Sequence, residues 1–240
     1  MPKYRIAELL IEIEARYPLV ARVCEKYREE TEAPADFSVT VEEAEIAAVM
    51  AEFPEYSPAY AENYCVCRRV SNEAAARGVI LFHAAAIEVD GKAYAFSAPS
   101  GTGKSTHIML WRRRFGKRVG MINGDKPFLR ERDGVFTVYG SPWCGKEGWN
   151  KNISAPLAGI CFLYQSKENT IARMTADTAL PRVFAQLIKP PTQTGVAACL
   201  SFADRLIKNV PIYYMGCNIS PAAAELSFRT MAGAEPPDKI

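Results

Sequence analysis

The stretch that most constrains this chain is a glycine-rich segment between a strand-like and a helix-like pattern. It reads Ala-Pro-Ser-Gly-Thr-Gly-Lys-Ser-Thr and occupies residues 98–106. It follows the pattern Gly, four residues, Gly-Lys-Ser/Thr, with Ala98 in place of the first glycine. Gly101 and Gly103 lack a Cβ, so the backbone can turn tightly and bring successive N–H groups to a polyphosphate. The pattern predicts a phosphate-binding loop, and the alternative is a Gly/Ser-rich turn that caps an ordinary helix.

Each part of this loop has a chemical role. The helix that follows it adds the positive end of its dipole to the phosphate site. Lys104 neutralises the outer phosphates, and the Ser105 hydroxyl can ligate Mg²⁺. Ala98 is compatible with the loop as long as its φ stays negative. The predicted phosphate-binding residues are therefore Ala98, Pro99, Ser100, Gly101, Thr102, Gly103, Lys104, Ser105 and Thr106.

A hairpin is predicted immediately before the phosphate loop. Residues 79–89 form an apolar run that favours a strand, Asp90-Gly91 is a typical two-residue hairpin turn, and residues 92–97 form a second strand. The strand that leads into the loop should therefore run antiparallel to its predecessor. In the common phosphate-loop enzymes that strand belongs to a parallel sheet, so this chain predicts a mixed sheet.

The rest of the chain predicts further strands and helices. Residues 4–13 are ambiguous between strand and helix, and their β-branched residues favour a strand. Residues 17–28 predict a short helix or an irregular segment. Helices are predicted at residues 42–53, 60–77, 103–115, 177–188, 195–209 and 221–231, before a tail that frays from Ala232. Strands are predicted at residues 37–41, 118–122, 128–132, 135–139, 157–165, 170–174 and 211–215.

Two segments after the phosphate loop are candidates for function. The strand at 118–122 ends in Asn-Gly-Asp-Lys-Pro, and a carboxylate in this position commonly binds Mg²⁺ or orients the attacking group. Asp125 is the candidate, and the alternative is a turn-forming aspartate before Pro127. Residues 140–149 contain two tryptophans, several glycines and a lysine. They predict either a functional loop or a turn whose tryptophans enter the core.

Composition excludes several classes of protein. The chain has 240 residues, enough for one large or two small domains, and a net charge of +2 argues against a nucleic-acid or anionic-membrane partner. The basic run at 112–114 fits the C-terminal end of a helix. No apolar stretch is long enough to span a membrane. Seven scattered cysteines and an N-terminus unlike a signal peptide predict a reduced, cytoplasmic protein without a structural metal site.

These features together resemble a known family. His83, the hairpin, the loop at 98–106 and Asp125 are similar to the catalytic domain of HPr kinase/phosphorylase, whose fold is related to ATP-dependent phosphoenolpyruvate carboxykinase. The closer resemblance is to HPr kinase-like proteins of bacteria. It is carried by the stretches at residues 96–107, 125–127 and 139–143, within a similarity over residues 79–217.

The resemblance implies a fold class and a domain organisation. It implies an α/β fold whose mixed β-sheet carries a phosphate-loop core of the HPr kinase/phosphoenolpyruvate carboxykinase type, with flanking helices. Residues 1–78 are expected to form an N-terminal strand/helix subregion packed on that core. Residues 79–240 are expected to form the nucleotide-binding catalytic domain. A homo-oligomer is also implied by the family.

The resemblance further implies an activity. It implies binding of ATP and Mg²⁺ and transfer of the γ-phosphoryl group to a hydroxyl, typically a serine of a peptide or protein. Asp125, His83 and Lys104 are the implied catalytic residues, and Ser105 with Asp125 the implied metal ligands. The alternative for His83 is a half-buried strand histidine without a catalytic role.

One departure from the family pattern concerns the metal and base carboxylates. The family has two adjacent aspartates at the strand end, whereas this chain has Gly124 before Asp125. Loss of a general base costs about 10²–10⁴-fold in rate. The chain could be a slow kinase, could recruit another acid such as Glu147, or could be a nucleotide-binding regulatory protein without transfer. A carboxykinase is disfavoured because the chain is too short for a large substrate domain, and a small-molecule acceptor stays open. In a weakened kinase, Gly124→Asp is expected to raise turnover.

Overall fold

The computed structural model describes residues 1–234, which form a mixed α/β fold. The predicted fraying of the tail from Ala232 falls mainly on residues 235–240, which lie outside the described residues. No helix within residues 1–234 is both long and apolar enough to cross a membrane. All seven cysteines are free.

The N-terminal region combines a small sheet with three helices. Its elements are β1 (Lys3–Ile6), β2 (Leu9–Glu14), α1 (Pro18–Cys24), β3 (Phe37–Thr40), α2 (Glu43–Glu52) and α3 (Pro58–Ala75), with a 3₁₀ turn at Glu25–Tyr27. The three strands pair in the order β1-β2-β3, antiparallel and then parallel. The favoured strand at 4–13 is therefore two strands. The turn between them places Ala7 and Glu8 at positive φ, and the sequence shows no glycine there to mark it.

The second sheet has nine strands. They are β4 (Val79–Leu81), β5 (Ala85–Val89), β6 (Lys92–Ser97), β7 (Val119–Asn123), β8 (Phe128–Arg132), β9 (Val135–Tyr139), β10 (Ser154–Gln165), β11 (Thr170–Arg173) and β12 (Ile212–Cys217). The order β4-β8-β9-β10-β6-β5-β7 is extended by β12, which pairs with β10 and β11. β5 and β6 pair antiparallel across the Asp90-Gly91 turn, which confirms the predicted hairpin. β6 pairs parallel with β10, so the sheet is mixed as expected.

One predicted strand is divided in the structure. Residues 79–89 form β4 and β5, and His83 lies in the gap between them. β4 pairs with β8, whereas β5 pairs with β6 and β7, so the chain changes partners at the gap. The main-chain N–H of His83 donates to the Gln186 carbonyl at 2.8 Å instead of to a strand. A continuous apolar run does not reveal such a change, because both strands are buried.

Helices cover both faces of the large sheet. They are α4 (Lys104–Phe115), α5 (Ala176–Gln186), α6 (Gln193–Asn209) and α7 (Pro221–Ala232), and a 3₁₀ turn at Gly116–Arg118 follows α4. One core lies between the sheet and α5 with α6, and includes Val183 and Leu206. The other lies under α4 and α7, where the fully buried Trp111 meets the rings of Phe96, Phe115 and Phe228. Burial of each such ring stabilises the fold by about 1.5–3 kcal/mol, so α4 is held firmly behind the phosphate loop.

A third core joins the N-terminal region to the large sheet. It contains side chains of β1 to β3 and α1 to α3 together with Val79, Leu81, Phe128 and Trp143. The N-terminal sheet and the edge of the large sheet therefore share one apolar cluster. A domain boundary at residue 79 stays a prediction.

Candidate functional site

The segment at 98–106 forms a tight loop between β6 and α4. Gly101 and Gly103 have φ values of 78° and 112°, a region that residues with a Cβ rarely adopt. Ala98 is buried and does not have a positive φ, so it satisfies the condition placed on it above. α4 begins at Lys104 directly after Gly103, and its first-turn N–H groups face the loop. The loop therefore has the tight turns and the adjoining helix N-terminus that the sequence predicted.

Three predicted residues meet beside this loop. His83 Nε2 lies 3.2 Å from Asp125 Oδ1 and 3.3 Å from Lys104 Nζ, and Lys104 Nζ lies 3.5 Å from Asp125 Oδ1. They come from the gap before β5, the start of α4 and the end of β7. The sequence did not indicate a fourth member, Lys126, whose ammonium pairs with Asp125 Oδ2.

Hydrogen bonds around Asn123 hold Asp125 in place. The Asn123 side-chain oxygen accepts from the main-chain N–H groups of Asp125 and Lys126 at 2.8 and 2.7 Å. Its amide nitrogen donates to the Ser141 carbonyl at 3.0 Å, and Asn123 is fully buried. The Asp125 carbonyl in turn accepts from Ala84 N–H at 3.0 Å, which ties it to the gap that carries His83. An asparagine two residues before the acid is the signal that could have indicated this turn.

The charges in this cluster are strongly coupled. Burial opposes ionisation of Asp125, but hydrogen bonds from His83 and Lys126 and the charges of both lysines outweigh it, so the pKa of Asp125 lies well below its ordinary value. Burial lowers the pKa of Lys104, and attraction to Asp125 offsets this only in part. Burial would also lower the pKa of Lys126, but its bond to Asp125 prevails and raises it. Asp125 is therefore a carboxylate at neutral pH, ready to interact with a cation or a hydroxyl.

Ser105 and Glu147 form a second polar contact at the loop. The Ser105 hydroxyl donates to Glu147 Oε1 at 3.2 Å. A Cβ placed on Gly145 would lie 3.2 Å from the Asp125 Cβ and 3.5 Å from Glu147 Oε2. Gly145 therefore lies between the two acids and is close to both. Mg²⁺ in phosphate sites is bound by one or two carboxylates, phosphate oxygens and water. Ser105, Asp125 and Glu147 supply oxygen donors of this kind, although no group of three or more His, Cys, Asp or Glu within residues 1–234 could hold a metal ion.

The segment at 140–150 covers Gly124. Gly124 N–H donates to the Trp149 carbonyl at 2.7 Å, and Asn123 bridges to Asn150. A Cβ on Gly124 would lie 2.7 Å from the Cys144 carbonyl oxygen, which is closer than real Cβ contacts. This opposes the expectation that Gly124→Asp raises turnover, because a carboxylate there has no space unless the loop moves. The backbone of this loop occupies the space that a side chain at position 124 would need.

The two tryptophans of this loop have different surroundings. Trp143 is 7% exposed, packs on Phe128 in the N-terminal core, and donates from its ring nitrogen to Asn63 at 3.3 Å. Trp149 is half-buried beside α4. The first half of the loop is therefore fixed to the core by Trp143, and the second half contacts the site through Glu147 and Trp149.

Comparisons with known proteins add little to this geometry. No protein-family model matches the chain, and no curated protein matches its sequence. Among solved structures, the Hpr(Ser) kinase/phosphatase from Coxiella burnetii is similar at 9% identity and a TM-score of 0.36, over 64% of this chain and 93% of that chain. A similarity at this level does not establish a shared fold or a shared function. The mixed α/β fold is established by the chain's own strands and helices, and the HPr kinase-like family stays a prediction.

Proposed function

We propose that this protein is an ATP- and Mg²⁺-dependent kinase that transfers the γ-phosphoryl group to a hydroxyl, with a serine of a peptide or protein as the expected acceptor. The observation that carries the proposal is the meeting of Lys104, Asp125 and His83 beside the glycine loop that opens α4. Each of the three comes from a different part of the chain. An ordinary helix-capping turn would not require them to converge.

The loop and the residues after it would hold the phosphates. The N–H groups at the start of α4 and the Lys104 ammonium supply donors and positive charge. Ser105, Asp125 and Glu147 are the oxygen ligands that would hold Mg²⁺. When bound, Mg²⁺ neutralises charge on the phosphate oxygens.

The nucleoside would occupy a cavity of about 430 Å³ that is lined by Gly101, Thr102 and Gly103 of the loop. Thr106 and Leu110 of α4 line one side of it, and Ile219 lies on the other. Ile219 is 81% exposed, and its neighbour Asn218 accepts from Asn169 Nδ2 at 3.1 Å. An apolar side chain held at the mouth of a cavity this size suits the face of a base.

The acceptor hydroxyl would meet the phosphate at Asp125. The oxygen of the acceptor hydroxyl forms the new bond to the γ-phosphorus, while the bond between the γ-phosphorus and the oxygen that bridges it to the β-phosphate breaks. Asp125 orients the hydroxyl, and the proton leaves to Asp125 or to the His83 ring. Because Lys104 and Asp125 are 13% and 20% exposed, their charges act in a site with little water.

A second candidate is a nucleotide-binding regulatory protein without transfer activity. The observation that favours it is the state of Asp125, which already interacts with His83, Lys104 and Lys126, and has no second acid beside it at Gly124. In that case the phosphate loop binds ATP, but no group is free to activate an acceptor.

Calorimetry with Lys104→Ala tests the proposal. We expect the variant to bind ATP at least about 10- to 100-fold more weakly, because a charge-assisted contact to phosphate is lost. Lys117→Ala is the matched control, since Lys117 is an exposed lysine in the 3₁₀ turn that follows the same helix. Unchanged ATP binding in Lys104→Ala would refute the phosphate-loop assignment. Wild-type binding without Mg²⁺-dependent transfer from labelled ATP to serine peptides would favour the regulatory protein.

A further inference from the structure

A cavity of about 730 Å³ lies between the N-terminal region and the large sheet, away from the phosphate loop. β3 and α3 line one side of it, and Leu81 with residues 188–191 line the other. Lys126 also lines it. The nucleotide site proposed above does not use this cavity, and most of its wall comes from residues 1–78.

The cavity carries unbalanced positive charge. Its charged side chains are the cations Arg68, Arg69, Lys126 and Lys189 and the acids Glu45 and Glu73. Both acids are already paired, Glu45 with Arg69 and Glu73 with Arg77 outside the cavity. Lys189 Nζ donates to the carbonyls of Phe184 and Leu187 at 3.1 and 2.8 Å. Its charge therefore has hydrogen-bond partners but no carboxylate.

Arg68 is the cation most available to a ligand. It is exposed, and within residues 1–234 it forms no ion pair. Its guanidinium lies 6.0 Å from the centre of the Tyr64 ring, which also lines the cavity. A carboxylate could bind Arg68 in a two-point contact without displacing any partner.

Aromatic rings extend this wall. Tyr64 lies 6.0 Å from Phe53 and 6.3 Å from Tyr56, measured between ring centres, and Tyr56 packs edge-on against Tyr60 at 4.6 Å. Tyr60 and Tyr64 are 48% and 38% exposed. Exposed rings beside an unpaired arginine are typical of surfaces that bind another chain.

The cavity also leads to the site. Lys126, which lines the cavity, pairs with Asp125, and Asp125 contacts His83 and Lys104. A peptide lying in the cavity would therefore have its next residues at Asp125. Asp125 contacts Lys104 through Oδ1 and Lys126 through Oδ2, so donor and acceptor would meet at the two oxygens of one carboxylate.

We infer that this cavity binds an acidic segment of the peptide or protein acceptor, with carboxylates at Arg68 and Lys189, and delivers the adjoining serine to Asp125. The inference rests on the proposed kinase function and names the class of its acceptor. It also assigns a role to residues 1–78, as the wall that recognises the acceptor.

Fluorescence anisotropy with labelled peptides tests the inference. The probes are short peptides with one serine flanked by glutamates, by glutamines or by lysines. The glutamate peptide is expected to bind most tightly, with an affinity that falls as salt is added. Arg68→Ala should weaken its binding about 10-fold, because one charge-assisted contact is lost. Arg68→Glu should weaken it further.

The control is Arg113→Ala, because Arg113 is an exposed arginine on α4 that does not line the cavity. It should leave peptide affinity unchanged, and Arg68→Ala should leave ATP affinity unchanged. Equal binding of the three peptides, equal losses in both variants, or binding of an oligonucleotide as tight as that of the glutamate peptide would overturn the inference. Absence of ATP binding by the wild type would instead refute the kinase proposal, and peptide affinity would still report on the cavity.

Discussion

The phosphate loop and the segment at 140–150 border Asp125 from two sides, and different forces determine their shapes. The phosphate loop is shaped by its own residues, since Gly101 and Gly103 permit its turns and α4 begins at once after them. The segment at 140–150 is shaped by distant partners. Asn123 at the end of β7 and Gly124 directly after it bind this segment, and Lys26 donates to the Asn150 side chain at 2.8 Å. The first region can be identified from a motif, whereas the second depends on where the rest of the chain folds.

Asp125 lies between the two regions, and its replacement is expected to have the largest effect. Asp125→Asn should lower phosphoryl transfer about 10²–10⁴-fold, because the carboxylate that orients the acceptor is lost. ATP affinity measured without Mg²⁺ should change much less, because Lys104 and the loop remain. A radiolabel transfer assay and calorimetry on the same preparations separate the two effects. Equal activity of variant and wild type would remove Asp125 from the chemistry.

Gly124 tests whether the loop at 140–150 is held as tightly as its contacts indicate. Gly124→Ala should lower the free energy of unfolding by about 1–3 kcal/mol, because its Cβ would overlap the Cys144 carbonyl. Urea denaturation measures this. Gly120→Ala in β7, the strand that ends just before Gly124, is the control, since there the closest atom is the end of the Glu88 side chain. If both variants lose the same stability, the loop adjusts freely and the contrast between the two regions disappears.

His107 tests the scaffold behind the phosphate loop and has the smallest expected effect. It is 2% exposed, its Nε2 lies 3.1 Å from the Ser227 hydroxyl, and its Nδ1 has no partner. Burial lowers its pKa from 6.5 to about 4. As pH falls below 6.5 the unfolded chain binds a proton there and the folded chain does not. Stability is therefore lost between about pH 6.5 and pH 4, below which the folded chain is protonated too.

The variant His107→Gln should remove that part of the acid sensitivity. Between pH 7 and pH 5 the wild type should lose about 1–2 kcal/mol more unfolding free energy than the variant. Urea denaturation at both pH values gives the comparison. The same loss of unfolding free energy in both proteins would show that other groups dominate the acid response and that protonation of His107 does not affect stability.

Much of the fold was predictable because local patterns determine it. The Asp90-Gly91 hairpin carries a turn signal that few other structures use, and it is present as predicted. The strands predicted at 128–132 and 135–139 are also present and pair antiparallel across Asp133-Gly134, which is the same kind of turn. The division of residues 79–89 at His83 and the turn at Ala7 and Glu8 were not predictable. In both places the backbone follows its neighbours, and no residue type marks the change.

The site shows the same division between local pattern and tertiary contact. Lys104, Asp125 and His83 were indicated by motif and resemblance, and the structure brings them within 3.5 Å of one another. The sequence did not indicate the pairing of Lys126 with Asp125, the hydrogen bond from Ser105 to Glu147, or the packing of the loop at 140–150 over Gly124. Each of these depends on a loop conformation stabilised by contacts far apart in sequence.

The sequence by itself determined the glycine-rich turn at 98–106, the antiparallel hairpin before it and the carboxylate that follows β7. Glycine freedom, turn chemistry and apolar runs act within a few residues, so their effects are readable locally. Only the tertiary structure decided that Gly124 is closed off by the Cys144 and Trp149 backbone and that residues 1–78 wall a basic cavity beside Asp125. The free volume beside Gly124 and the net charge of the cavity each depend on residues from several segments. They become visible only when the fold brings those segments together.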